Sequence, residues 1–99
     1  MTENADMVRA VARTIRDINK AAFDRGILSM WTVYDHPKDF PDGFMARRSE
    51  IGGGVPVPVL TDDVVTGDLR MIRECMARCG LVCLTRDPSD DPVIVETWT

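Results

Sequence analysis

The sequence predicts an α+β fold of order α–β–β–α–β–β, a four-stranded antiparallel sheet with two helices packed on one face. Three observations predict it. Two stretches carry apolar residues at spacings of three and four, each followed by a glycine. Four short runs rich in β-branched and aromatic residues are bounded by Pro, Gly, Asp and Ser. The chain of 99 residues has the usual size of one domain, so both helical stripes must share one core over residues 1–99.

The first helix is expected from about Asn4 to Arg25. Val8, Val11, Ala12, Ile15, Ile18 and Ala22 fall on one face, with Asn4 as the N-cap and Gly26 as the stop. Residues 27–34 and 44–51 read as two strands pairing across a nine-residue loop, 35–43, which is long for a hairpin. Gly52-Gly53-Gly54 breaks the second strand. Residues 55–60 alternate with Pro56 and Pro58, which enforce extended backbone but bar a central strand, leaving an edge or a linker.

A second helix is expected from about Thr66 to Cys79, with Thr61 as an earlier possible start. Leu69, Ile72, Met76 and Cys79 share a face and Gly80 stands at the stop. Residues 81–86 and 93–98 read as short strands around a linker rich in Asp and Pro. The two α–β–β halves share no alignable sequence, so the duplication is one of architecture. With both helices on one side, the other sheet face is left for water or a partner.

Composition narrows the function. The charged fraction of 28% and apolar fraction of 44% are those of an ordinary globular protein. The net charge is −4, and the acidic excess belongs to residues 51–99, which hold four Lys/Arg against eight Asp/Glu. Net acidity argues against nucleic-acid binding, which needs many phosphate-neutralising cations. No apolar run is long enough to span a bilayer, and the first residues lack a basic stretch leading into an apolar one. A cytoplasmic protein with reduced thiols is the expectation.

Candidate chemistry is sparse. Arg9, Arg13, Arg16 and Lys20 form a basic stripe on the first helix. Asp6, Asp17 and Asp24 stand three or four residues from its members, so it reads as a self-neutralised, solvated face. Cys75, Cys79 and Cys83 lack the short Cys-x-x-Cys knuckle of zinc sites, and read as small buried hydrophobes. The triple glycine leads into prolines and not into a helix, unlike a phosphate loop. Asp87, Asp90 and Asp91 lack the ligand order of a calcium loop. No cofactor or metal is expected.

The aromatic residues Trp31, Tyr34, Phe40, Phe44 and Trp98 are more informative. Strand alternation cannot put them all on one face, and Trp31 and Tyr34 must point opposite ways. The candidate ligand or partner surface is therefore Tyr34, Asp35, His36, Phe40, Arg47, Arg48 and Trp98. The 35–43 loop serves there as either a lid or a binding loop. Arg47 and Arg48 have two readings, ion pairs with Glu50 and Glu96 or contacts to an anionic group.

Residues 31–37 (Trp-Thr-Val-Tyr-Asp-His-Pro), 40–48 (Phe-Pro-Asp-Gly-Phe-Met-Ala-Arg-Arg) and 90–98 (Asp-Asp-Pro-Val-Ile-Val-Glu-Thr-Trp) resemble a family of small uncharacterised bacterial proteins. That resemblance implies a bacterial, stand-alone cytosolic protein and carries no catalytic residues. No nucleophile, base and oxyanion donor can be assembled from the spacings. The expected function is a non-catalytic binding or protein-interaction module, plausibly a homodimer, acting through the uncovered sheet face or the 35–43 loop. The alternative is a small-ligand-binding protein or enzyme with a cleft beside the 30–50 hairpin.

Overall fold

The first apolar stripe is helical, as its spacing predicts. In the computed structural model, which describes residues 3–99, α1 spans Glu3–Asp24 and buries Val8, Ala12, Ile15 and Ala22. Helix is already present at Glu3, so Asn4 lies inside the first turn and is not the N-cap. Strands β1 (Ile27–Asp35) and β2 (Phe44–Gly52) then pair antiparallel from Ile27↔Gly52 to Asp35↔Phe44.

The next segment corrects the sequence reading twice. Residues 61–67 are not helical; with 55–60 they form one long strand, β3 (Val55–Gly67), antiparallel to β2. The sheet thus has five strands and not four, and the element order is α–β–β–β–α–β–β. The reason is local. Thr61, Val64, Val65 and Thr66 are β-branched, and three of them sit opposite Arg47, Ala46 and Met45 in the ladder. Pro56 and Pro58 are tolerated because β3 is an edge strand, whose outer side needs no N–H.

Helix α2 (Leu69–Arg78) begins where Asp68 caps it, its carboxylate accepting from the Met71 N–H at 2.8 Å. Gly67 makes the joint. Its φ is +153°, a conformation that other residues rarely adopt, so glycine suits the passage from strand to helix. The remaining strands, β4 (Cys83–Thr85) and β5 (Ile94–Trp98), are shorter than the sequence suggests. Leu81 closes α2 instead, donating to the Met76 carbonyl.

The strand order is β3-β2-β1-β5-β4, antiparallel throughout. Trp31, Val33, Ala46 and Trp98 join Val8, Ile15, Ile72, Cys75 and Met76 in one core, so both helices cover the same sheet face. The helices meet closely: the Cys79 thiol donates to the Ala12 carbonyl at 3.1 Å, and Ala12 is small enough to allow it. The molecule measures 44 × 32 × 22 Å. Its least dimension holds one helix layer and one sheet layer, with nothing beyond the sheet.

Candidate functional site

Register decides which side chains point away from the helices. Trp31 and Val33 face the core, so Leu28, Met30, Thr32 and Tyr34 alternate onto the open face. Pairing carries this to Met45, Arg47, Ser49 and Ile51 of β2 and to Leu60, Val64 and Thr66 of β3. On the other side it reaches Thr97 of β5 and Leu84 of β4. Arg47 is the sole charge among these positions, in a chain of which 28% is charged. Leu28, Leu60 and Leu84 are 51%, 60% and 49% exposed. The short Thr32 and Ser49 are buried between longer neighbours and form a shallow floor. The face mixes apolar side chains with Thr, Ser and Tyr and carries little charge.

The surface as a whole is large for the mass. The chain exposes 6294 Å². A compact monomer of 11.1 kDa exposes about 5,700 Å².

The loop from β1 to β2 folds over one end of this face. Pro37, Lys38 and Asp39 stand over Tyr34, Met45 and Arg47 around a pit of about 260 Å³. A guanidinium nitrogen of Arg47 lies 3.6 Å from Asp39, while Arg47 Nε is buried without a hydrogen-bond partner. His36 sits at the loop's entry with φ +48°, a left-handed conformation that histidine tolerates better than most residues. Its Nδ1 contacts the Asp35 carboxylate, and its ring meets Phe44 edge-on at 5.3 Å. Phe40 folds back on Gly43, where a Cβ would lie 3.0 Å from its ring.

Of the residues the sequence singles out, the structure therefore brings Tyr34 and Arg47 together on the open face. Asp35, His36 and Phe40 line the loop itself. Arg48 and Trp98 are elsewhere, in the interior on the helix side. Trp31 and Tyr34 do point to opposite faces.

Comparison with protein-family models, curated proteins and solved structures returned no match.

The interior polar groups are engaged with one another. Arg48 Nε donates to Asp63 at 2.9 Å, Nη2 to Glu50 at 3.0 Å and Nη1 to the Ser29 hydroxyl at 3.1 Å. Arg25 also reaches Glu50, and hydrogen bonds from Arg25 and then Arg48 hold the Glu50 carboxyl below its usual range. Of the two carboxylates expected to pair with Arg47 or Arg48, Glu50 does so; Glu96 takes Arg73 instead.

Cys75 and Cys79 are packing groups, whereas Cys83 is exposed and departs from the expected burial because β4 is an edge strand. Cys75 is buried at the seam of α1 and α2, Cys79 is half-buried there, and Cys83 is exposed on β4. Burial is the main cause raising all three thiols above their ordinary range. Among the described residues no group of three His, Cys, Asp or Glu is placed to hold a metal. Asp87, Asp90 and Asp91 accept from N–H groups of their own turn, at Ser89, Asp87 and Val93. No helix among the described residues is long and apolar enough to cross a membrane.

The residues that sequence reasoning missed are Leu28, Leu60 and Leu84. Strand alternation was the available signal, but it could not be applied to Leu60 until residues 55–67 were known to pair as one strand.

Proposed function

We propose that this protein is a non-catalytic interaction module that pairs with a second copy of itself through the helix-free sheet face. The observation that carries the proposal is the near absence of charge on that face in an otherwise charge-rich, acidic chain. A solvated antiparallel face ordinarily carries polar and charged side chains at alternate positions. Here those positions hold Leu28, Met30, Ile51, Leu60 and Leu84 around Thr32 and Ser49. A face with few charges, of which Arg47 stands beside Asp39, meets its own copy across a two-fold axis with little like-charge repulsion. The likeness of residues 31–37, 40–48 and 90–98 to small bacterial proteins supports a bacterial cytosolic setting.

Isotope-filtered NMR on mixed labelled and unlabelled protomers tests the reading. Contacts between protomers are expected from the methyl groups of Leu28, Leu60 and Leu84. Contacts arising only from α1, α2 or the outer edge of β3 contradict it.

A second reading, binding of a small ligand in the pit under residues 37–39, is supported by Arg47 Nε, which is buried there without an acceptor. A small carboxylate such as acetate, titrated at constant ionic strength, is expected to shift the Arg47 Nε–Hε resonance saturably. A shift that only tracks concentration removes this reading.

A further inference from the structure

The outer surface of the helix layer carries the opposite electrostatic character from the sheet face. Arg9, Arg13 and Arg16 of α1 and Arg78 in the last turn of α2 surround a pit of about 170 Å³, with Ala12 also in its wall. The sequence alone reads the α1 stripe as neutralised by Asp6, Asp17 and Asp24. The structure makes two of the expected pairs, Asp6 with Arg9 and Asp24 with Lys20, and not the third, Asp17 with Arg13. Asp6 stands 3.7 Å from Arg9, and Glu74 stands 3.9 Å from Arg78, both pairs well exposed and long. Asp24 takes Lys20, and Asp17 makes no ion pair among the described residues. Neither Arg13 nor Arg16 has a carboxylate partner among them. Arg16 is held in place by donating from Nη2 to the Arg78 carbonyl at 3.1 Å, which ties the two helices together at the pit.

We infer that this arginine pit is an anion site for a phosphate monoester group. Four guanidinium groups around one depression repel one another, and in a chain of net charge −4 such a concentration is not a by-product of a basic surface. The cations are all arginines; the chain's two lysines, Lys20 and Lys38, do not line the pit. Arginine presents a rigid fork of donors, and a phosphate offers three acceptor oxygens to several forks at once, which a carboxylate does not. Capping the α2 carbonyls accounts for Arg16 alone. The exposed Asp6 and Glu74 carboxylates stand beside Arg9 and Arg78, and the α2 C-terminus adds about half a negative charge, which leaves Arg13 and Arg16 without a carboxylate to offset them among the described residues. The pit lies on the helix side, so it stays open when the sheet face is covered, and it does not depend on the dimer.

The test is a titration of the full-length chain with inorganic phosphate, sodium chloride being withdrawn to keep ionic strength constant, read at the arginine Nε–Hε resonances. The Arg9, Arg13, Arg16 and Arg78 signals are expected to move saturably, while those of Arg47 and Arg86 stay in place. R13Q/R16Q is expected to weaken binding by about tenfold or more, and R13K/R16K to restore it only in part. Co-sedimentation with phosphatidylcholine vesicles containing phosphatidic acid, lost in R13Q/R16Q, supports the site and assigns the phosphate to a lipid headgroup. Phosphate binding without vesicle binding supports the site and assigns a soluble phosphomonoester. A non-saturating shift shared by all arginines, or equal affinity in wild type and R13Q/R16Q, overturns the inference.

Discussion

Arg73 of α2 grips Glu96 of β5 with two guanidinium nitrogens, Nη2 at 2.8 Å and Nε at 3.1 Å, although Glu96 is only 5% exposed. The Trp98 indole N–H donates to the same carboxylate at 2.8 Å. One carboxylate thus fixes α2 over the sheet and orients the largest side chain of the last strand.

That relationship has a pH signature. Burial pushes the Glu96 carboxyl up, but the Arg73 fork and the Trp98 donor together outweigh it and hold the group below its usual 4.5. A depressed carboxyl contributes stability that is present above its unfolded-state value and lost as pH falls through the folded-state one. Urea midpoints of the wild type are therefore expected to fall as pH drops from neutral below about 4.5, and E96Q to fall less over the same interval. At neutral pH, Glu96→Ala is expected to cost about 2 kcal/mol, because it strands the Trp98 donor but leaves Arg73 half in water. Equal acid sensitivity in wild type and E96Q contradicts this account.

Arg48 holds the other end of the sheet. It is 5% exposed and tied to Asp63 of β3, Glu50 of β2 and Ser29 of β1, opposite the bulge where β3 changes register. Arg48→Met leaves the Asp63 carboxylate without its cation and Glu50 with Arg25 alone, and is expected to cost about 2–4 kcal/mol. Hydrogen exchange is expected to quicken first in residues 59–65, with β1 and β5 protected as before. Uniform loss of protection across the sheet would show that Arg48 does not act through β3.

Thiol labelling separates the three cysteines. Cys83 is expected to react with iodoacetamide in the folded protein, with a rate that rises at higher pH than for a free cysteine, since burial and then Glu96 push its thiol up. Cys75 and Cys79 are expected to react only on unfolding, being packed against α1 at the Val8 and Ala12 carbonyls. Labelling of Cys75 at the rate of Cys83, read by peptide mass, would deny the helix seam described above.

Much of this was legible in the sequence. The stripe from Val8 to Ala22 set α1, and the β-branched and aromatic run before Asp35 set β1, because each had one dominant period. Residues 61–67 were ambiguous: an early helix start at Thr61 and a β-branched strand compete there, and only the ladder to Arg47, Ala46 and Met45 decides for strand. The open face shared this fate, since it is assembled from five strands and Leu60 and Val64 belong to the strand the sequence hid. Partner choice among charges was equally hidden. Nothing in spacing tells that Glu96 meets Arg73, or that Arg13 meets no carboxylate among the described residues.

The proposed pairing through the sheet face is tested most directly by the mass in solution. Light scattering on the wild-type chain is expected to give twice the 11.1 kDa chain mass at micromolar concentration. L28E/L84E, folded by circular dichroism, is expected to give the single chain mass, because two carboxylates from each copy then meet at the seam. A wild type that stays at 11.1 kDa as concentration rises contradicts the account, as does a variant that still pairs.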